Sequence, residues 1–256
     1  MIISVINHTN GKMSDEAVQA AIRAINRQIR YDFEPYWSLG ATLRLEGRSS
    51  VRPRRQSIAD MRGDAVVYLW DGHDVDDALG YHNTNNGGVP FGFVFTELSK
   101  RLGENWTVTL SHEALELIGD PEVNLMVKGP HPAHPRKTVF HWYEMCDAVQ
   151  AETYKIDGVE VANFVLPLYF TGGEELGGRN DFLGRAYKGK TLQSFGINPG
   201  GYVGFFNPAT GKDHTFAMTG DTKAARRIKL KQAAGKTRRT VRHQSMGEGR
   251  GRTAKA

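Results

Sequence analysis

Cysteine is almost missing from this chain. Cys146 is the only one among 256 residues, so no internal disulfide can form. A lone thiol fits a reducing compartment. Long apolar runs are missing too: no stretch approaches the roughly 20 residues that cross a bilayer. Residues 1–9 have no basic segment and no extended apolar core, so neither a secretory leader nor a membrane anchor is expected, and the cytoplasm is the expected location. The last part of the chain, residues 222–256, lacks aromatics and nearly lacks acids. It holds twelve Lys and Arg against Glu248, a charge of +11. The whole chain carries +5, so residues 1–221 carry −6. The high isoelectric point therefore belongs to the tail, and the body is acidic.

What is present suits a packed domain. Residues 2–7 and 65–70 are continuous apolar runs that predict buried strands. Ser14 followed by Asp15 and Glu16 predicts the start of a helix running to about Arg30, with Val18, Ala21, Ile22, Ile25 and Ile29 on one face. Residues 36–45 alternate as a further strand, and residues 89–95 form another, which Pro90 and Gly92 place at a sheet edge. Residues 107–119 predict a second helix, apolar on several sides and therefore buried. After Pro121 the prolines 130, 132 and 135 predict an irregular stretch. Asp157-Gly158 predicts a hairpin turn between residues 152–156 and 159–165, and Thr210-Gly211 a second one. Residues 48–60 and 172–201 read as loops. The expected class is α+β: two helices on a mixed sheet in residues 1–121, an irregular C-terminal half in 122–221, and a disordered basic tail in 222–256.

The chemistry concentrates in Leu110-Ser-His-Glu-Ala-Leu-Glu116. His112 and Glu116 are four apart on the helix and share a face, with Glu113 beside them. This is the H-E-x-x-H spacing of zinc peptidases, with glutamate in place of the second histidine. A catalytic metal needs three protein donors, so a further ligand must come from elsewhere. Glu144 is the first choice and Asp147 the second. Asp120 is placed either as a ligand or as a partner that orients His112, and His82 and His141 are additional donors. Glu113 is the expected general base toward metal-activated water. Tyr143 and Tyr154 are candidates to stabilise an oxyanion, with Tyr143 carried forward as catalytic. The bland alternative is a hydrogen-bonded polar cluster without metal, since glutamates are ordinary helix formers.

Other features weigh less. Asp71-Gly-His-Asp-Val-Asp-Asp77 lacks the spacing and closing glutamate of an EF-hand and reads as a solvated loop. Cys146 near His141 reads as a packed residue rather than a nucleophile. Residues 172–178 lack the spacing of a phosphate loop. For the tail, one reading is non-specific contact with nucleic-acid phosphates, and the other is a solubilising extension.

The chain resembles zincin-type metallopeptidases, and more closely a group of uncharacterised bacterial and phage proteins with zincin-like features. The resemblance rests on Ala78-Leu-Gly-Tyr-His82, on residues 89–95, on the 110–116 segment, on Asp120-Pro121, on Glu144-Met-Cys-Asp147 and on residues 154–167. It implies a zincin-like fold over about residues 1–170, with His112 as first ligand, Glu113 as base and Glu116 at the second-ligand position. It also implies a peptide substrate paired along residues 89–95, and a virion or host-cytoplasm location if the chain is phage-encoded. The metal implied is zinc. A site of one histidine and several carboxylates also suits manganese, iron or calcium. Two functions follow: a metal-dependent peptidase, or an inactive zincin-like binding or structural protein with a nucleic-acid-contacting tail.

Overall fold

The computed structural model describes residues 1–47, 62–72, 79–85, 87–171, 178–218 and 220–222. The expectations for the loops at 48–60, 71–77 and 172–178 and for the tail fall wholly or mostly outside these residues.

In chain order the elements are β1 (Ile2–His8), α1 (Asp15–Arg27), α2 (Glu34–Trp37), β2 (Thr42–Glu46), β3 (Ala65–Trp70), β4 (Gly80–Thr84), β5 (Pro90–Phe95), α3 (Thr96–Leu102) and α4 (Trp106–Gly119). Then follow β6 (Met126–His131), β7 (His134–Trp142), β8 (Thr153–Ile156), β9 (Val159–Ala162), β10 (Val203–Asn207) and β11 (Lys212–Phe216). The class is α+β, as expected. The first sheet runs β2-β1-β3-β5-β4, with β4 alone antiparallel to its neighbour. A second sheet runs β11-β10-β7-β6, and β8 and β9 form a separate hairpin.

Ser14 caps α1 by accepting the Ala17 N–H at 3.2 Å, as its sequence suggests. Val18, Ala21, Ile22 and Ile25 bury against the sheet. The helix then widens into π-type turns over Gln28–Phe33. Gln28 is fully buried there, and its amide donates to the Ala162 carbonyl at 2.7 Å and accepts from Ser111 Oγ at 2.7 Å. This ties α1 to α4 and β9 through paired polar groups, which is how a buried amide is tolerated.

Three expectations are corrected. The strand expected over 36–45 starts only at Thr42, because Pro35 opens α2 and Ser38 ends it in the left-handed region at φ 53°. The stretch holding Pro130 and Pro135 is not irregular but a hairpin, β6 with β7. Pro130 lies at a register shift on an edge strand, where a missing N–H costs little. Most important for function, β5 is not an edge. It pairs with β3 on one side and β4 on the other, and β4 closes the sheet. Pro90 is tolerated because it is the first residue of the strand.

One apolar cluster runs from β1, β3 and β5 through α1 and α4 to Met145, Phe164, Tyr169, Phe195 and Val203. The two halves of residues 1–221 thus share a core. The other face of the first sheet buries Tyr68, Trp70, Phe91, Phe93 and Phe95, with Tyr68 and Phe93 stacked at 5.3 Å. Among the described residues no helix is long and apolar enough to cross a membrane.

A buried histidine–carboxylate cluster

Asn105 starts α4 by accepting the Thr107 N–H at 3.1 Å. The helix is buried on nearly every side from Thr107 to Gly119. That explains its apolar flanks, and it forces His112, Glu113 and Glu116 to find partners inside the protein.

The partners come from two other segments. The first is β4, which lies directly on the helix. A side chain on Gly80 would place its Cβ 2.7 Å from the Phe93 carbonyl oxygen and from Thr109 Cγ2, and 3.1 Å from Glu113 Cγ. That contact brings His82 to the helix, with Nδ1 3.1 Å from Glu113 Oε2 and 3.7 Å from Glu116 Oε2. Gly80→Ala should therefore push β4 off α4. The expected loss is about 1–3 kcal/mol, read as a lower denaturant midpoint at unchanged slope.

The second segment is Glu144-Met-Cys-Asp147, which follows β7. The Cys146 N–H donates to Glu116 Oε1 at 3.2 Å, and the Asp147 carboxylate stands 3.4 Å from His112 Nε2. On the other side of His112 Nε2, Glu116 Oε2 is 3.2 Å away. This segment is held by backbone bonds from Val165 to Met145, from Asn198 to Ala148 and from Tyr202 to Asp147. Gly201 makes the last approach possible, since a Cβ there would sit 2.6 Å from the Ala148 carbonyl carbon.

Donor atoms of His82, Glu116 and Glu144 lie within 4.8 Å of one another, and so do those of His112, Glu116 and Cys146. Glu116, 1% exposed, is common to both groups. Burial alone would lower the His112 pKa. The facing Glu116 carboxylate, then Asp147 and Glu113, outweigh it and raise the group to about 10. A proton on His112 thus pairs it with both Glu116 and Asp147. Burial and the charges of Glu116, Asp147 and Glu113 push the Cys146 thiol up, so sulfur is a poor donor and Asp147 is the better third partner of His112. Cys146 is fully buried in the apolar cluster and directs Sγ at the His112 carbonyl, 3.8 Å away, in keeping with a packing role.

The remaining candidates sort plainly. Asp120 accepts the Asn124 and Leu125 N–H groups at 3.0 and 2.9 Å, which closes the turn after α4. Its carboxylate is engaged there rather than with His112. His141 lies in the second sheet, with Nε2 2.8 Å from the Pro130 carbonyl and its ring against Phe195. Tyr143 packs on Trp37 and Phe170. Tyr154 donates to Asp32 at 2.7 Å. The tyrosine that does reach the cluster is Tyr202. It hydrogen-bonds the Asp147 side chain, and burial, then Asp147, Glu116 and Glu113, push its phenol well up. Its only signal in the sequence is the glycine pair before it.

Two donor pairs at His112 stand at ligand spacing, while the groups of three whose donors all lie within 4.8 Å of one another take Cys146 or Glu144, not Asp147, beside Glu116. Ligands bound at about 2.0–2.1 Å around a tetrahedral centre stand roughly 3.3 Å apart. His112 meets Glu116 and Asp147 at 3.2 and 3.4 Å. Imidazole and carboxylate donors suit zinc, manganese or iron alike. Comparison with protein-family models and with curated proteins finds no match for this chain.

Proposed function

We propose that the protein is a divalent-metal-dependent hydrolase acting on peptide bonds. The observation that carries this reading is the His112 imidazole set between two carboxylates at ligand spacing, with Glu113 the next residue of the helix. His112, Glu116 and Asp147 would hold the ion. Such an ion supplies a Lewis acid, polarising a carbonyl and bringing the pKa of water down toward neutrality. Glu113 takes the proton released and delivers it to the leaving nitrogen. His82 Nδ1 lies 3.1 Å from that carboxylate. Tyr202 donates its O–H to Asp147 and would orient that carboxylate, a role different from the oxyanion contact expected of Tyr143.

The peptide-pairing role moves from β5 to β4. Leu79 and Asn85 bond to β5 through Phe95 and Val89. Hydrogen-bonded pairs recur at every second residue of an antiparallel ladder. The backbone groups of Gly80, His82 and Thr84 therefore face away from the sheet, where an extended peptide would add as a further strand. It would lie beside His82 and so beside Glu113.

Glu113→Gln tests the proposal. It keeps the size and hydrogen bonding of the side chain and removes its basicity. Peptide hydrolysis should fall by about 10²–10⁴-fold, while metal content stays as in the wild type. Hydrolysis unchanged in the variant would remove Glu113 from the chemistry. A second reading rests on the His112 proton: with a pKa of about 10 it can close the cluster without metal. The protein would then be a zincin-shaped binding or structural protein, and no divalent ion would be retained by the wild type.

A further inference from the structure

We propose that the cluster holds a second divalent ion, between His82, Glu144 and the shared carboxylate Glu116. The inference rests on the metal reading above and extends it from one ion to two. Two observations carry it.

The first is geometric. The donors gather in two groups, not one: His82 with Glu144, and His112 with Cys146, each together with Glu116, and Asp147 stands beside His112. Glu116 Oε2 stands 3.2 Å from His112 Nε2 and 3.7 Å from His82 Nδ1, so one carboxylate oxygen faces both imidazoles. Its other oxygen is fixed by the Cys146 N–H at 3.2 Å, which sets the orientation of the carboxylate. A carboxylate flanked in this way is the natural bridge between two ions a few ångströms apart, an arrangement that hydrolytic sites use.

The second is charge. Glu113, Glu116, Glu144 and Asp147 are all buried, and the histidines among them are His82 and His112. Both imidazoles must be neutral to ligate a metal. One divalent ion at His112 leaves the four carboxylates in excess even with a proton on His82, and such an excess is costly in a dry space. A second divalent ion brings the set to neutrality. The donors of the second group come from β4 and from the segment after β7, so the site also clasps the sheet edge to the C-terminal half.

The test is a cobalt(II) titration of the full-length protein, followed by optical absorption and checked by elemental analysis after gel filtration. The expected result is a break at two equivalents in the wild type. Glu144→Gln, which retains shape and hydrogen bonding, should bind one, and His82→Ala should also bind one. A single equivalent in the wild type that His112→Ala abolishes and Glu144→Gln leaves intact would overturn the second ion while leaving the first. No cobalt bound by the wild type would overturn both. Two equivalents with paramagnetic coupling between the ions, seen by electron paramagnetic resonance and lost in His82→Ala, would support the bridge.

Discussion

If the cluster holds a divalent ion as proposed, Glu116→Gln should strip it, and in either case it should lower the His112 pKa from its value of about 10. Both outcomes follow from where the carboxylate lies. Oε2 faces the His112 and His82 imidazoles at 3.2 and 3.7 Å, and Oε1 accepts the Cys146 N–H. The glutamine amide can keep one oxygen on that N–H, so the backbone around Cys146 stays satisfied. Its NH₂ group must then face two imidazole nitrogens, and it has no charge to give a metal. Retained metal should fall from stoichiometric to background, by elemental analysis after dialysis. In the metal-free protein the opposing influences on His112 change balance: burial still lowers its pKa, and the largest favourable charge is gone. A proton NMR titration of the His112 ring should then show its midpoint moving down. Glu116→Ala is a harsher variant, because it also leaves a buried N–H without its acceptor, at about 1–3 kcal/mol. A Glu116→Gln protein that kept its metal would show that the ion sits elsewhere.

The parts of this site that sequence could reveal are those carried by one helix. His112, Glu113 and Glu116 are fixed relative to one another by helical periodicity alone, and the apolar flanks of α4 already demanded burial. The segment Glu144–Asp147 was also legible, as a dense group of donors within four residues. His82 was visible only as one donor among several, because its place depends on the order of strands in the sheet. That order was misread at β5, where Pro90 and Gly92 resemble the marks of an edge. The signs that β4 is the true edge are weaker, since it is short and carries no proline. Tyr202 was missed for a different reason. It reaches Asp147 because Gly201 lets two backbones close to a distance that no side chain would allow. A contact of that kind leaves no periodicity behind. The prolines of the β6–β7 hairpin misled in the opposite direction, because Pro130 lies on the edge strand β6 and Pro135 in the part of β7 that the register shift leaves out of the ladder. The hairpin around Asp157-Gly158 was legible because its turn is local, with both residues at positive φ.

Metal affinity and metal-free stability should respond to pH in opposite directions, and the cause is the same proton. In the metal-free fold His112 is held protonated up to about pH 10, against 6.5 for an ordinary histidine. A group whose pKa is raised by folding contributes stability in full below its unfolded value and loses it as the pH climbs through its folded value. The metal-free protein should therefore be most stable with respect to this group below pH 6.5 and should lose that contribution progressively up to about pH 10. The full swing is on the order of 5 kcal/mol. Metal binding requires neutral imidazole, so each ion taken up at His112 expels a proton across the same range. Affinity should rise about tenfold per pH unit, or roughly 100-fold between pH 6.5 and 8.5. Denaturant midpoints should fall with pH for the metal-free protein and stay level for the saturated one. Calorimetry in buffers of different ionisation enthalpy should count the proton released. Metal affinity that is flat from pH 6.5 to 8.5 would mean that His112 is already neutral in the metal-free fold. The carboxylates beside it would then be balanced by something other than its proton.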